Sequence, residues 1–253
     1  MGRIIAVVNQ KGGVGKTTTA VNLAAALTEQ GKRVLVCDFD PQANATSGFG
    51  IDKRKVSHTS YDMIIGEASP ADCVVSTKYA DVIPSAADLA GAAVELIGMD
   101  RREQQLKKGL NALRDKYDVI FIDCPPSLEM LTLNGLCAAD GILIPVQCEY
   151  YALEGLSDLM ATLRSVKRRL NQSLDIFGVI LTMFDGRTNF STQVAQEVRR
   201  HFPGKVFTTA IPRNVRLAEA PSHGLPVGAY DRSSRGAVAY RELAEEVARK
   251  LER

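Results

Sequence analysis

Short apolar runs rich in β-branched residues alternate along the chain with segments whose apolar side chains recur every three or four positions. The first run, Ile4-Ile5-Ala6-Val7-Val8, is apolar at consecutive positions, as a strand covered on both faces must be. Past a glycine-rich turn, Ala20, Leu23, Ala24 and Leu27 fall at helical spacing, and Gly31 is placed to end that helix. The same reading predicts strands over 3–8, 33–38, 80–84, 118–123, 141–146, 175–182 and 206–211. It predicts helices near 16–30, 97–116, 128–138, 152–170, 189–201 and 233–252. Strand and helix in alternation imply an α/β fold: a doubly wound, mainly parallel sheet with helices on both faces. Residues 48–75 are the least regular and read as a surface insertion. No repeat, low-complexity tract or linker intervenes, so 1–253 is expected to form a single domain.

Composition narrows the class. No apolar run approaches the roughly 20 residues of a membrane span. The chain enters its first strand at once, which predicts no signal peptide. Five cysteines, Cys37, Cys73, Cys124, Cys137 and Cys148, show no C-x-x-C spacing and read as small buried residues of a reducing cytoplasm. Net charge is +2 but unevenly spread: residues 1–159 carry 15 Lys/Arg against 20 Asp/Glu, and residues 160–253 carry 16 against 9. The basic C-terminal third is a candidate surface for a polyanion.

The turn after the first strand is Gln10-Lys11-Gly12-Gly13-Val14-Gly15-Lys16-Thr17-Thr18. Its end fits the phosphate-binding pattern G-x-x-x-x-G-K-[ST], in which loop amides cradle phosphates, the lysine reaches β/γ oxygens and the hydroxyl meets Mg²⁺. Its start departs from that pattern: Gln10 stands where the first glycine belongs, and a second lysine, Lys11, follows. Two further apolar strands end in carboxylates, Asp38 and Asp40 after 34–37 and Asp123 after 120–122. An apolar strand ending in Asp is how a carboxylate is brought to the metal of such a site. Asp38 and Asp40 share one face if the extended conformation continues past the strand. The nearest approach to a guanine-reading Asn/Thr-Lys-x-Asp element is Thr77-Lys78-Tyr79-Ala80-Asp81, whose carboxylate comes one residue late. ATP is therefore the expected nucleotide.

Together these segments resemble the deviant Walker A ATPases, and among them the chromosomal ParA, or Soj, partition ATPases. The likeness extends through Pro145-Val146-Gln147-Cys148-Glu149-Tyr150-Tyr151-Ala152-Leu153-Glu154-Gly155 and Ile211-Pro212-Arg213-Asn214-Val215-Arg216-Leu217, then Glu219–Gly224 and Tyr230-Asp231. It is weakest over 52–79. The resemblance implies that Lys16 binds the β/γ-phosphates of ATP and that Thr17, Asp38 and Asp123 hold Mg²⁺. It further implies that Gly12, Gly13, Val14, Gly15 and Thr18 line the phosphates, and that Pro212 and Asn214 lie at the adenine. Asp40 is similar to the family residue that positions the attacking water. Lys11 resembles the signature lysine that reaches a partner's nucleotide in an ATP-dependent homodimer. A cation supplied in trans stabilises transition-state charge as an arginine finger does.

Three function classes share such a loop. A partition ATPase dimerises with ATP, binds double-stranded DNA without sequence preference, and is released when a ParB/Spo0J-type protein stimulates slow hydrolysis. For DNA the family's positions correspond to Arg187 and Arg216, with Lys205, Arg213, Arg232 and Arg235 as further cations if the fold gathers them. A MinD-like membrane-surface ATPase needs an amphipathic anchor, but the stripe at positions 240, 243, 247 and 251 is narrow and flanked by four acids, so it is expected to pack inward. A metal-cluster ATPase like the nitrogenase iron protein lacks convincing ligands. No helix-turn-helix precedes the loop, so operator binding is not expected. The resemblance thus implies a cytoplasmic, nucleoid-associated partition ATPase without a membrane partner.

Overall fold

The computed structural model describes residues 2–149 and 152–252. Its strands are β1 (Arg3–Val7), β2 (Val34–Asp38), β3 (Val75–Ser76), β4 (Asp81–Ile83), β5 (Val119–Asp123), β6 (Gly141–Gln147) and β7 (Asp175–Thr182). The helices are α1 (Lys16–Glu29), α2 (Asn44–Gly48), α3 (Ser60–Ile65), α4 (Leu89–Glu95), α5 (Gln105–Asn111) and α6 (Met130–Ala138). After them come α7 (Ala152–Arg169), α8 (Asn189–His201), α9 (Val215–Glu219), α10 (Val227–Tyr230) and α11 (Arg235–Leu251).

The strands form one sheet in the order β3-β4-β2-β5-β1-β6-β7, parallel except for β3 against β4. Alternate side chains of each central strand enter opposite layers, as the two-residue period requires. Ile4, Ala6, Leu35, Cys37, Ile120 and Ile122 pack with α5, α6, α7 and α8 on one face. On the other, Ile5, Val7, Val34, Val36, Val119 and Phe121 pack with α1 and α11. All five cysteines are buried and free. The stripe of α11 is internal: Tyr240, Leu243 and Val247 pack in the same cluster as Leu23 and Leu27 of α1.

Three expectations are corrected. Residues 206–211 form no strand: Phe207 and Ile211 bond to β7, but Glu246 takes the amides of Thr208 and Thr209, which interrupts the ladder between them. The helix expected over 97–116 is broken, because Arg101 adopts a left-handed φ of 49° and only α5 remains α-helical. Residues 48–75 are not a surface excursion. They contain α3, capped reciprocally by Thr59 and Asp62, and they bury Met63, Ile64 and Cys73 in the core. The Thr77–Asp81 segment is a turn folded on its Thr77 hydroxyl, and Asp81 accepts from the buried Tyr117 hydroxyl, which gives both a structural role.

Candidate functional site

The chemistry gathers at the carboxyl ends of β1, β2 and β5, which the register aligns: Val7 lies beside Asp123, and Asp123 beside Asp38. Ligands of open α/β sheets bind at this edge. Between β1 and α1 the loop turns through Gly13 (φ 74°) and Gly15 (φ 89°), a left-handed backbone that a side chain would strain. Gly15 begins α1 without a side-chain cap. The first-turn amides of Lys16, Thr17 and Thr18 therefore face a ready anion site, reinforced by the helix dipole.

Neighbouring elements hold this loop in shape. Asn9 donates to the Pro145 carbonyl (2.8 Å) and accepts from the Lys11 amide (3.0 Å). The buried Thr182 hydroxyl donates to the Val14 carbonyl (2.8 Å). Thr19 on α1 shares a hydrogen bond with the Tyr240 hydroxyl of α11 (3.2 Å). The two lysines point differently. Lys16 is buried and donates to the Lys11 carbonyl (3.3 Å). Burial lowers its pKa, while Asp123, Cys124 and Asp40 oppose that shift. Lys11 instead extends to Glu149 at the rim (3.4 Å), beside Arg213, which also reaches Glu149 (3.7 Å).

The three aspartates are not equivalent. Asp38 is fully buried and accepts from the Thr46 amide (2.7 Å), the Thr46 hydroxyl (2.6 Å) and the Asp40 amide (3.3 Å). Burial nevertheless pushes its carboxyl up to about 6. Asp123 is also fully buried, and neither of its side-chain oxygens has a hydrogen-bond partner. Burial first, and then the Asp38 charge, raise its pKa well above the carboxylate range; Thr17, from a position that completes no hydrogen bond, and Lys16 oppose the shift. An orphaned buried carboxylate implies a missing cationic partner. The oxygens of Asp123, Asp38 and Thr17 suit a hard, hydrated divalent ion. Asp40 lies beyond the strand, where its amide folds back onto Asp38, so a turn brings the two together instead of the continued extension that the sequence suggested. Its Oδ1 accepts from the Gln42 amide (2.9 Å).

A cavity of about 390 Å³ adjoins the loop, lined by Gly15 and Thr18 on one side and Pro212, Arg213 and Asn214 on the other. Asn214 caps α9 by accepting from the Arg216 amide (2.8 Å), which fixes its side chain at the rim. Thr182, Met183 (φ 51°) and Tyr240 also line it. Sequence reasoning gave no role at the site to these three, nor to Thr46 or Glu149. Tyr150 and Tyr151 of the 145–155 segment lie outside the described residues.

The basic residues separate into groups. Arg187 forms a two-pronged pair with Asp185 (2.9 and 2.8 Å), whose pKa falls to about 2. Arg216 pairs with Glu219 (2.7 Å) and Asp231 (3.3 Å). Asp231, which holds Arg216, lies four residues before Arg235 at the start of α11, and the Arg235 charge adds a small part to the lowering of the Asp185 pKa. Arg213 belongs instead to the Lys11–Glu149 rim. Lys205 is bound to Asp175 at the far end of β7 (2.8 Å), and seven strand steps, about 23 Å, separate Asp175 from Thr182. It therefore does not join Arg187 and Arg216.

A strand, a glycine loop with left-handed turns, an uncapped helix start and converging strand-end carboxylates define a P-loop nucleotide-binding protein of the ParA/MinD type. Comparison with known proteins agrees. A family profile described as an AAA domain matches residues 2–176. Sporulation initiation inhibitor protein Soj of Bacillus subtilis is 56% identical over 250 residues, spanning 98% of this chain and 99% of that protein. Chromosome partitioning protein ParA of Caulobacter vibrioides is 50% identical over 249 residues, spanning 97% and 93%. The crystal structure of cobyrinic acid a,c-diamide synthase from Mycobacterium smegmatis, with ADP and magnesium bound, superposes with a TM-score of 0.87 at 38% identity, covering 100% of this chain and 96% of that one. The chain belongs to the ParA/Soj family of chromosome-partitioning ATPases.

Proposed function

We propose that this chain, acting over 1–253 as one domain, is the ATPase of a chromosome-partitioning system. It hydrolyses ATP slowly to ADP and phosphate, dimerises around ATP, and holds double-stranded DNA without sequence preference until a ParB-type partner stimulates hydrolysis. The observation that carries this reading is the divergence of the two loop lysines: Lys16 is buried in the loop, whereas Lys11 is turned outward to Glu149. A lysine at the rim is available to a second nucleotide across an interface.

The remaining roles follow from position. Amides of Gly13, Gly15, Lys16, Thr17 and Thr18 hold phosphate oxygens, and Lys16 neutralises them. Thr17, Asp38 and Asp123 hold Mg²⁺, which when bound supplies positive charge to the phosphates. Asp40 orients the attacking water with the carboxylate oxygen that Gln42 leaves free. The cavity at Pro212 and Asn214 takes the adenine. Arg187 and Arg216 contact DNA phosphates in exchange for their own acidic partners, which makes binding weak per residue and sensitive to salt. A membrane-surface role has less support, because the apolar stripe of α11 is spent on α1 and no described helix is long and apolar enough to cross a membrane.

The test is DNA binding titrated with salt in the presence of ATP, ADP or no nucleotide, with anionic vesicles as a parallel arm. Binding to unrelated duplexes only with ATP is expected. ATP-dependent vesicle binding without DNA binding would overturn the proposal.

A further inference from the structure

Behind the carboxylates lies a closed ring of hydrogen bonds to which the motifs give no clue. The Ser85 amide donates to the Thr46 hydroxyl oxygen (2.9 Å), and that hydroxyl donates to Asp38 Oδ2 (2.6 Å). Asp38 Oδ1 accepts from the Asp40 amide (3.3 Å), and the Asp40 carbonyl accepts from the Ser85 hydroxyl (2.8 Å), which closes the ring. Ser85, Thr46 and Asp38 are fully buried, and Asp40 is nearly so. Ser85 follows β4, which pairs with β2, while Thr46 lies on α2. Asp38 and Ser85 therefore hold the Asp40 backbone from two separate elements, and Thr46 on a third ties those two together.

We infer that Ser85 and Thr46 are positioning residues that set the geometry of Asp40. This rests on the proposed role of Asp40 in orienting water. The ring grips Asp40 at both its amide and its carbonyl, and the Gln42 amide fixes one side-chain oxygen. The side chain then has little freedom to leave the position its function requires. Buried networks of this kind fix geometry because each member would be left unsatisfied if another moved. Thr46 also saturates Asp38 Oδ2, so it sets which Asp38 oxygen can face a metal. Preorganisation of this sort acts on the chemical step and leaves nucleotide binding, which depends on the loop amides, largely untouched.

The test compares Ser85→Ala, Thr46→Val, Thr46→Ser and Asp40→Ala with the parent protein, measuring ATP affinity, kcat, KM and ATP-dependent dimerisation. Amide hydrogen exchange at Asp40 and Gln42 is measured without nucleotide. Ser85→Ala is expected to lower kcat about tenfold, the scale of one hydrogen bond, with ATP affinity and dimerisation unchanged and exchange at Asp40 accelerated. Thr46→Val should act in the same direction, and Thr46→Ser, which keeps the hydroxyl, should restore the parent values. If Asp40→Ala is inactive while Ser85→Ala turns over and exchanges like the parent, the positioning role is overturned. It is also overturned if kcat, affinity and melting temperature fall together and Thr46→Ser restores nothing. If Asp40→Ala itself turns over normally, the proposed role of Asp40 fails, and slower Asp40 exchange in the parent than in Ser85→Ala then still upholds the ring.

Discussion

Replacing Asp123 by Asn should stabilise the nucleotide-free protein, although it removes a residue from the proposed metal site. Both carboxylate oxygens of Asp123 are buried without a hydrogen bond, and Asp38 sits beside it on the adjacent strand. An unsatisfied buried polar group costs about 1–3 kcal/mol and a charged one more. An amide of the same shape leaves a neutral group unsatisfied in place of a charged one, so the gain at pH 7.5 is about 2 kcal/mol. For a chain of this size that corresponds to about 4–8 °C in melting temperature. The sign with pH is fixed by the direction of the shift. A carboxyl whose pKa is raised by folding destabilises the native state as pH climbs above the ordinary carboxylate value near 4. The advantage of Asp123→Asn should therefore be absent at pH 4 and grow towards neutrality. Circular-dichroism melts without nucleotide or divalent ions, across that range, measure it; added Mg²⁺ and ATP should then stabilise the parent more than the variant. A variant that melts at or below the parent at pH 7.5 would refute the reasoning.

Three further outcomes are expected. Lys11→Ala should keep nucleotide affinity and lose the ATP-dependent dimer in sedimentation, and its melting temperature should barely move, because the exposed Lys11–Glu149 pair contributes at most about 1 kcal/mol. Arg216→Ala should weaken DNA binding and flatten the slope of log affinity against log salt by about 0.9 for each phosphate that is no longer neutralised. A loss of ATP-dependent dimerisation in the same variant would contradict a DNA-facing role. Leu243→Ala, at a fully buried position of α11, should destabilise by about 2–5 kcal/mol in denaturant titrations without creating affinity for anionic vesicles.

The chain by itself determined the elements and the chemistry they deliver. The strand at 3–7, the loop and α1 are contiguous, so two-residue and 3.6-residue periods and the glycines suffice to read them. The aspartates were legible for the same reason: each closes an apolar run that has to be a buried strand. The stripe of α11 announced an inward face. Tertiary structure decided which of these pieces meet. Strand order puts Asp38 and Asp123 in register across 85 residues of sequence, and no local period encodes that order. Thr46, Ser85, Glu149 and Tyr240 acquire their partners only through it, and each is an ordinary polar residue in its own segment. Local pattern also failed where a distant side chain competed for the backbone, as Glu246 does for the amides of Thr208 and Thr209. It failed again for the cations, since charge along the chain carries no distance: Lys205 and Arg187 are 18 residues apart in sequence, yet Lys205 is paired with the first residue of β7 and Arg187 follows its last. Short-range sterics and burial are written in neighbouring residues, whereas a site depends on which strand ends become neighbours in space.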